Sequence, residues 1–416
     1  MPPTTRAAAR ARTAAAVAAV PHDLLARVCS FLPPGDAVLT VPRLNKAWAA
    51  AAASCVADVR DEAAAAEAET CLDIYRYLGQ RCLSVPLWAL QEAWPQLSGL
   101  QRQRAAARAA FHGDLAVLGW ALPQLGGANT LYCEAAAAGG QLEALQYARA
   151  LGCPWDEETC TAAAEGGHLA VLQWARAQQP PCPWGKEACS AAAGSGHLAV
   201  LQWARAQQPP CPWDEEACSA AAGSGHLAVL QWARAQQPPC PWEEETCSKA
   251  AWGGHLAVLQ WARAQQPPCP WDEETCSEAA WGGHLGLLQW ARTQQPPCPW
   301  SQETCSKAAW GGHLAVLQWA RGQEPPCPWN EETCSEAAKG GRLAVLQWAR
   351  GQDPPCPWDK WTCSEAAWGG HLGVLQWARG QEPPCPWNAA ECWRWASDAA
   401  TDGWLSAQAA LEGVAL

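Results

Sequence analysis

No stretch of about 18 apolar residues free of charge and proline occurs in the chain, so no membrane span is expected. Basic residues are scarce: 28 Lys and Arg stand against 40 Asp and Glu, for a formal net charge of −12 at pH 7. That balance argues against phosphate contacts spread over the whole surface, and no basic patch stands out in the repetitive part. A nucleic-acid partner is therefore not expected. Neither a Gly-rich phosphate loop, a nucleophile elbow nor a pair of catalytic carboxylates stands out, so an enzyme with its own active site is not expected either. No secretory signal is visible, which favours a reducing, cytoplasmic or nuclear setting. Residues 1–20 contain no acid and are rich in alanine and arginine. A disordered extension is the expectation there; an organelle transit peptide has the same composition.

What is abundant is repetition. At 416 residues the chain could hold two or three globular domains, but a block of 29 residues recurs nearly verbatim. One copy runs from Cys269 to Pro297. His168, His197, His226, His255, His284, His313 and His371 keep the register, with Arg342 in the one missing place. Two looser units precede them, centred on Asp114 and Gln141. Such a period predicts a stacked solenoid, in which each unit buries its apolar face against its neighbours. Solenoids are binding surfaces more often than catalysts, and a monomer is expected.

The 23 cysteines first suggest a disulfide or metal framework. Most fall into two repeat columns, one led by Cys153, Cys182 and Cys211, the other by Cys160, Cys189 and Cys218. Stacked helices lie about 10 Å apart, beyond the roughly 7 Å Cα limit for a disulfide between equivalent positions. A bridge within one repeat, such as Cys269 to Cys276, is sterically conceivable. Small buried apolar thiols are the expectation. Cys269, Cys276 and His284 could also suggest zinc, but zinc motifs space their paired ligands two to four residues apart. Arg342 and Gln141 fill the histidine place without other change, and arginine cannot be a ligand. No metal and no cofactor are expected.

The local pattern gives the fold class. After Trp271, Asp272 stands where a helix N-cap is expected. Its column reads Asp156, Gly185, Asp214, Glu243, Asp272, Ser301, Asn330, Asp359 and Asn388, mostly residues whose side-chain oxygen can accept an orphan N–H. Glutamates in the first turn suit the positive end of the helix dipole. A first helix of about ten residues should stop at Gly282-Gly283. A second helix should carry Leu285, Leu287, Leu288, Trp290 and Ala291 and be ended by Pro296-Pro297. The tryptophan columns of the loop (Trp155, Trp184, Trp213) and second helix (Trp203, Trp232, Trp261) hardly vary and are expected in the core.

Thr275 to Leu285, with Leu287, Trp290 and Ala291, resembles the core of the ankyrin repeat, with Cys276 in the place of that family's buried leucine. The period is 29 in place of 33, so the family's β-hairpin should be replaced by a short Gln-Gln-Pro-Pro-Cys-Pro joint. Gly152-Cys153-Pro154-Trp155 is similar to the joint of divergent ankyrin-like arrays from green algae. The resemblance implies an all-α, ankyrin-like helix-turn-helix solenoid over residues 105–392. It also implies partner docking on the exposed inner, concave face of the first helices. Two columns vary there: Lys249, Glu278, Lys307, Glu336 and Glu365, and three residues on Trp252, Trp281, Trp310, Lys339 and Trp368. Spacings of three place both columns on one helix face. Core positions would not exchange Trp for Lys or Gly, because such volume changes cost several kcal/mol. Exposed tryptophans in a row suit a protein-binding hot spot; shielding of the groove is the competing reading.

Residues 21–60 differ. Leu24, Leu25, Val28, Phe31 and Leu32 form one helical stripe, Pro33-Pro34-Gly35 breaks it, and Asp36 can cap the next helix. This resembles an F-box, although Val20 stands where leucine is usual and Pro42 falls inside the expected second helix. The resemblance implies docking of Pro21, Leu24, Leu25, Val28, Leu32, Asp36 and Trp48 on a Skp adaptor of a cullin-based ubiquitin ligase. The repeats would then be its substrate receptor. The alternative is a non-ligase scaffold or sequestering protein whose N-terminal helices only cap the solenoid. Residues 61–104 are expected to be a helical connector and 393–416 a C-terminal cap.

Overall fold

Several repeats open on a helix capped by a side chain. In the computed structural model, which describes residues 87–126 and 129–414, Asp272 Oδ1 accepts from the main-chain N–H of Glu274 at 3.0 Å. Asp214, Ser301, Asp359 and Asn388 do the same for their own helices. An N-cap of this kind stabilises a helix by about 1 kcal/mol. The 1–20 extension and all seven F-box-like residues, Pro21 to Trp48, lie outside the described residues. The connector is described only from Leu87 onward.

The chain divides into two compact units, Met1–Pro212 and Trp213–Leu416. In the first, a leading helix Leu87–Ala93 and a 3₁₀ turn Trp94–Gln96 precede four helix pairs. Their first helices are Gly99–His112, Leu131–Ala138, Glu157–Glu165 and Lys186–Gly194; their second helices are Leu115–Leu125, Leu142–Ala150, Leu169–Arg176 and Leu198–Arg205. The second unit begins with the pair Glu215–Gly223 and Leu227–Arg234 and ends with Ala389–Trp395 and Ala399–Glu412. Among the described residues no strand occurs, so the joints are irregular loops in place of a hairpin. The fold is an all-α helical-repeat solenoid.

Within a unit the closest packing runs between first helices of successive repeats. Their shared side is built from small residues: Thr275, Cys276, Ser277, Ala279 and Ala280 are buried. The second helix supplies the bulk, Leu287, Leu288 and Ala291 in the same repeat. Leu172, Leu201, Leu230, Leu259, Leu288, Leu317 and Leu346 are all fully buried, each gaining roughly 2 kcal/mol from lost water contact.

The turn between the two helices needs glycine. Gly283 has φ +72°, and a Cβ there would lie 2.4 Å from Nδ1 of the next repeat's His313. The second helix closes earlier than the prolines themselves, at Arg292. Pro296 has no N–H to offer the carbonyl four residues back, and it disfavours helical backbone at Gln295. Gln294 Nε2 donates instead to the Trp290 carbonyl at 3.0 Å. The Gln295-Pro296 bond is cis.

The joint is held by its cysteine. Cys298 N–H donates to Ala291 O at 3.1 Å, and its thiol donates to Asp272 O of the preceding repeat at 3.4 Å. Arg292 Nη1 donates to the Cys298 carbonyl. At the far end, Arg379 pairs with Glu412 of the last helix, which also accepts from Trp387 Nε1 at 3.0 Å. Hydrogen bonds from Arg379, Gln408 and Trp387 overcome the effect of burial and hold the Glu412 carboxyl below its usual range.

Candidate functional site

Residues four and three apart share one face of a helix, so each first helix of the second unit presents a three-residue stripe. In Glu273–Trp281 it is Glu274, Glu278 and Trp281; in Gln302–Gly311 it is Glu303, Lys307 and Trp310. All ten residues expected on the partner-binding face lie on these stripes. The structure brings them into contact from repeat to repeat.

The charged column knits neighbouring helices. Lys249 Nζ lies 3.2 Å from Glu216 of the previous repeat and 3.3 Å from Glu245 of its own. Lys307 lies 2.6 Å from Glu278 and 3.3 Å from Glu303. Lys339 lies 4.0 Å from Glu336 and 3.8 Å from Glu365. Glu278 is mostly covered, its side chain 14% exposed. Burial acts to lower the pKa of Lys307, but the bond to Glu278 and the charge of Glu303 outweigh it and raise the value above the ordinary range. Lys249 is raised in the same way by Glu216 and Glu245 against burial. Burial pushes the Glu274 carboxyl upward; Lys307 pulls it back, and Asp272, Glu278 and Glu303 add to the rise. Glu336 is raised by burial and by Glu365 and Glu332, against Lys339. The carboxylates crowd one another.

The tryptophan column follows the charged one, three residues further along the same helix face. Trp252, Trp310 and Trp368 are 51%, 37% and 54% exposed. The rings of Trp252 and Trp281 lie 6.2 Å apart and those of Trp281 and Trp310 5.4 Å apart, both tilted. They touch one another, with Trp252 and Trp310 open to solvent and Trp281 half-buried between them. Where the column carries lysine, the ammonium of Lys339 sits 5.4 Å over the Trp368 ring. About two turns nearer the helix start, Lys360 lies 4.9 Å over Trp361, which also contacts Trp395.

The histidine column has a structural task. His313 Nε2 lies 2.9 Å from the main-chain carbonyl of Trp281, and His284 and His371 reach Trp252 and Lys339 in the same way. Each bonds the carbonyl of the residue that ends the previous first helix. Such carbonyls have no partner inside their own helix.

The loop and second-helix tryptophans are half-buried, in correction of their expected place in the core. Trp271 packs edge-to-face on Trp290 at 5.9 Å, and Arg263 of the preceding repeat lies 4.1 Å over Trp271. The stack repeats as Trp184 on Trp203 under Arg176. An indole clamped by a cation and a second ring keeps an outer edge in water, where the guanidinium stays hydrated.

The 19 cysteines among the described residues are free and buried. Sequence comparison of equivalent positions missed how they meet. The helix thiol of one repeat contacts the joint thiol of the next, as in Cys276 with Cys298 and Cys305 with Cys327. Only the stacking offset creates these pairs. Contact with the partner thiol, and then burial, push Cys298 and Cys327 far above the ordinary thiol range.

No family model matches the chain, and no curated protein matches it. Its fold is similar to that of the pentatricopeptide repeat protein PPR10 in complex with an 18-nucleotide psaJ RNA element. That likeness has 13% identity and a TM-score of 0.37, and it covers 96% of this chain and 67% of that one. The structure of PPR10 from maize is similar at 13% identity and a TM-score of 0.33, covering 95% and 68%. The exclusion of nucleic acid is corrected on this finding: PPR10 itself is seen in complex with RNA. A net charge of −12 describes the whole chain, whereas contact with nucleic acid depends on local charge distribution.

Proposed function

We propose that the array is a protein-recognition surface of ankyrin-like type that works through the first-helix face of its second unit, without chemistry of its own. The observation that supports this is the row of indoles in which Trp252 and Trp310 are exposed and Trp281 is half-buried between them, beside a column of paired charges. Aromatic anchors in such settings carry most of the binding free energy of protein interfaces. The Thr-Cys-Ser-Glu-Ala-Ala run and its Gly-Gly-His turn support the ankyrin-like reading. The F-box resemblance of residues 21–60 supports a finer role as the substrate receptor of a ubiquitin ligase.

Calorimetry of the full chain with the Skp adaptor, wild type and Leu24→Ala/Leu25→Ala, tests the finer role. Binding at about 1 µM or tighter that is lost in the variant supports it. Its absence leaves a scaffold whose N-terminal segment serves only as a cap. For the face itself, the Trp252→Ala/Trp281→Ala/Trp310→Ala variant should lose partner binding while its helical melt stays near wild type. A collapsed melt would assign the indoles to shielding the groove. A single-stranded RNA arm in the same assay decides between the two classes of partner.

A further inference from the structure

The spacing of cysteines along one repeat argues against a metal, but stacking assembles a different set of thiols, away from the first-helix face. Cys276 of one repeat meets Cys298 at the start of the next, and both are fully buried. The pairing recurs along the chain. In the first unit Cys160 meets Cys182; in the second, Cys247 meets Cys269 and Cys305 meets Cys327. In none of these pairs do the two residues belong to one repeat.

Main-chain carbonyls and a positive charge surround each pair. The Cys298 thiol lies 3.4 Å from the Asp272 carbonyl, and the Cys276 thiol lies 3.9 Å from the Cys298 carbonyl. Arg292 donates to that same Cys298 carbonyl, and the Arg263 guanidinium acts on the Cys298 thiol as a positive charge. Cys269 has Arg263 in this role, and Cys356 has Arg350.

Two buried thiols beside a fixed cation select the ion they can hold. Among the described residues, no group of three or more His, Cys, Asp or Glu side chains is placed to hold a metal ion. Zinc takes four ligands in structural sites and is unsuited to a pair. A soft monovalent cation such as copper(I) favours thiolate sulfur and is satisfied by two sulfurs in a line. Loading releases two protons from the thiols and brings in one positive charge, so the pair gains one negative charge. Buried charge is costly unless it is paired, and here the neighbouring guanidinium supplies the opposite sign.

We propose that each of these inter-repeat thiol pairs is a two-coordinate site for a soft monovalent metal ion, copper(I) in class. The bound ion ties the first helix of one repeat to the joint of the next.

The test titrates the full, reduced chain, without oxygen, with copper(I) delivered as its bicinchoninate complex. Copper per chain is then counted by elemental analysis after desalting. Serine keeps a donor for the main-chain carbonyls, so serine variants remove ligation and retain the fold. Cys276→Ser, Cys298→Ser and the double variant should each bind one copper fewer than wild type, because a site needs both thiols. Cys269→Ser/Cys276→Ser should lose two, since it breaks two inter-repeat pairs. X-ray absorption should show sulfur neighbours alone, and the circular dichroism of the helices should survive loading. The Cys305 and Cys327 serine variants repeat the comparison at a second pair if the first set fails to fold. A loss of two coppers in Cys276→Ser/Cys298→Ser, with one in Cys269→Ser/Cys276→Ser, would give the metal to pairs within a repeat and overturn the proposal. Unchanged copper in the variants, or loading only with loss of the helical signal, overturns it as well. Zinc held at the same stoichiometry would overturn the two-coordinate assignment.

Discussion

Arg342 donates through Nε to the main-chain carbonyl of Trp310 at 3.1 Å. It thereby makes the bond that His313 makes to Trp281 at 2.9 Å, one repeat earlier. The two side chains share a directed N–H and little else, which is why a column of histidines accepts one arginine. What the position needs is a donor aimed at the last carbonyl of the helix before it.

Removing that donor should cost more than exchanging it. His313→Ala leaves the Trp281 carbonyl without its partner and should destabilise by about 1 kcal/mol. Arg342→His should stay within about 0.5 kcal/mol of wild type. Urea unfolding followed by far-ultraviolet circular dichroism separates the two. Equal effects would show that the bond contributes nothing.

Gly283→Ala and Gly312→Ala should differ, although both glycines sit in left-handed turns. A Cβ at Gly283 meets the rigid imidazole of His313 at 2.4 Å, whereas at Gly312 it meets the flexible stem of Arg342 at 2.8 Å. Both pay the backbone cost of about 1 kcal/mol; only the first should add a steric term of about 1–2 kcal/mol. Thermal midpoints of the two variants check the order.

Alkaline pH should unfold the array. Burial holds the Cys133 thiol at about 12, and contact between paired thiols, then burial, raises Cys298, Cys327 and Cys356 further. Unfolded thiols ionise near pH 8.5, so above that value the unfolded chain sheds protons that the folded chain keeps. The stabilisation is complete below about pH 8.5 and is lost as pH climbs toward the folded values, by about 1.4 kcal/mol per pH unit for each thiol. Melts under reductant between pH 7 and 10 should show a steepening fall. Over the same range, iodoacetamide should label these cysteines only after unfolding.

The Lys307–Glu278 pair should show compensation. Lys307→Met strands a covered carboxylate beside Glu274 and Glu303 and should cost about 1–2 kcal/mol. Adding Glu278→Gln should return part of that cost, because the uncompensated charge is removed with its partner. A double-mutant cycle in urea measures the coupling, and additive effects would remove the pair from the stability of the groove.

What could be read from the sequence is what a single repeat decides by itself. The caps at Asp272 and Ser301, the Gly-Gly turn and the buried Leu288 and Cys276 follow from local chemistry and spacing. What could not be read belongs to the contact between repeats. Cys276 meets Cys298, 22 positions on, only through the stacking offset. Trp271 and Trp290 read as core because they hardly vary, yet their constancy comes from a clamp with Arg263 on the outer side. The candidate face was legible as columns, since Glu278 and Trp281 share a helix side by spacing alone. That Lys307 reaches back to Glu278, and that the indoles lean on one another, depends on the distance between helices.

The histidine bond to the preceding helix has a consequence for how such an array can change in length. Where this bond forms, a donor from one unit meets a main-chain acceptor from the one before, so one such copy fits behind another. Loss or gain of one such 29-residue unit by unequal recombination would leave seams of this kind intact. The last seam is different: beside Gly370 stand Ser397 and Asp398, and Asp398 turns its carboxylate to cap its own helix. The series can grow in its middle while its last seam is built differently, and the number of repeats becomes a heritable variable separate from the chemistry of each one.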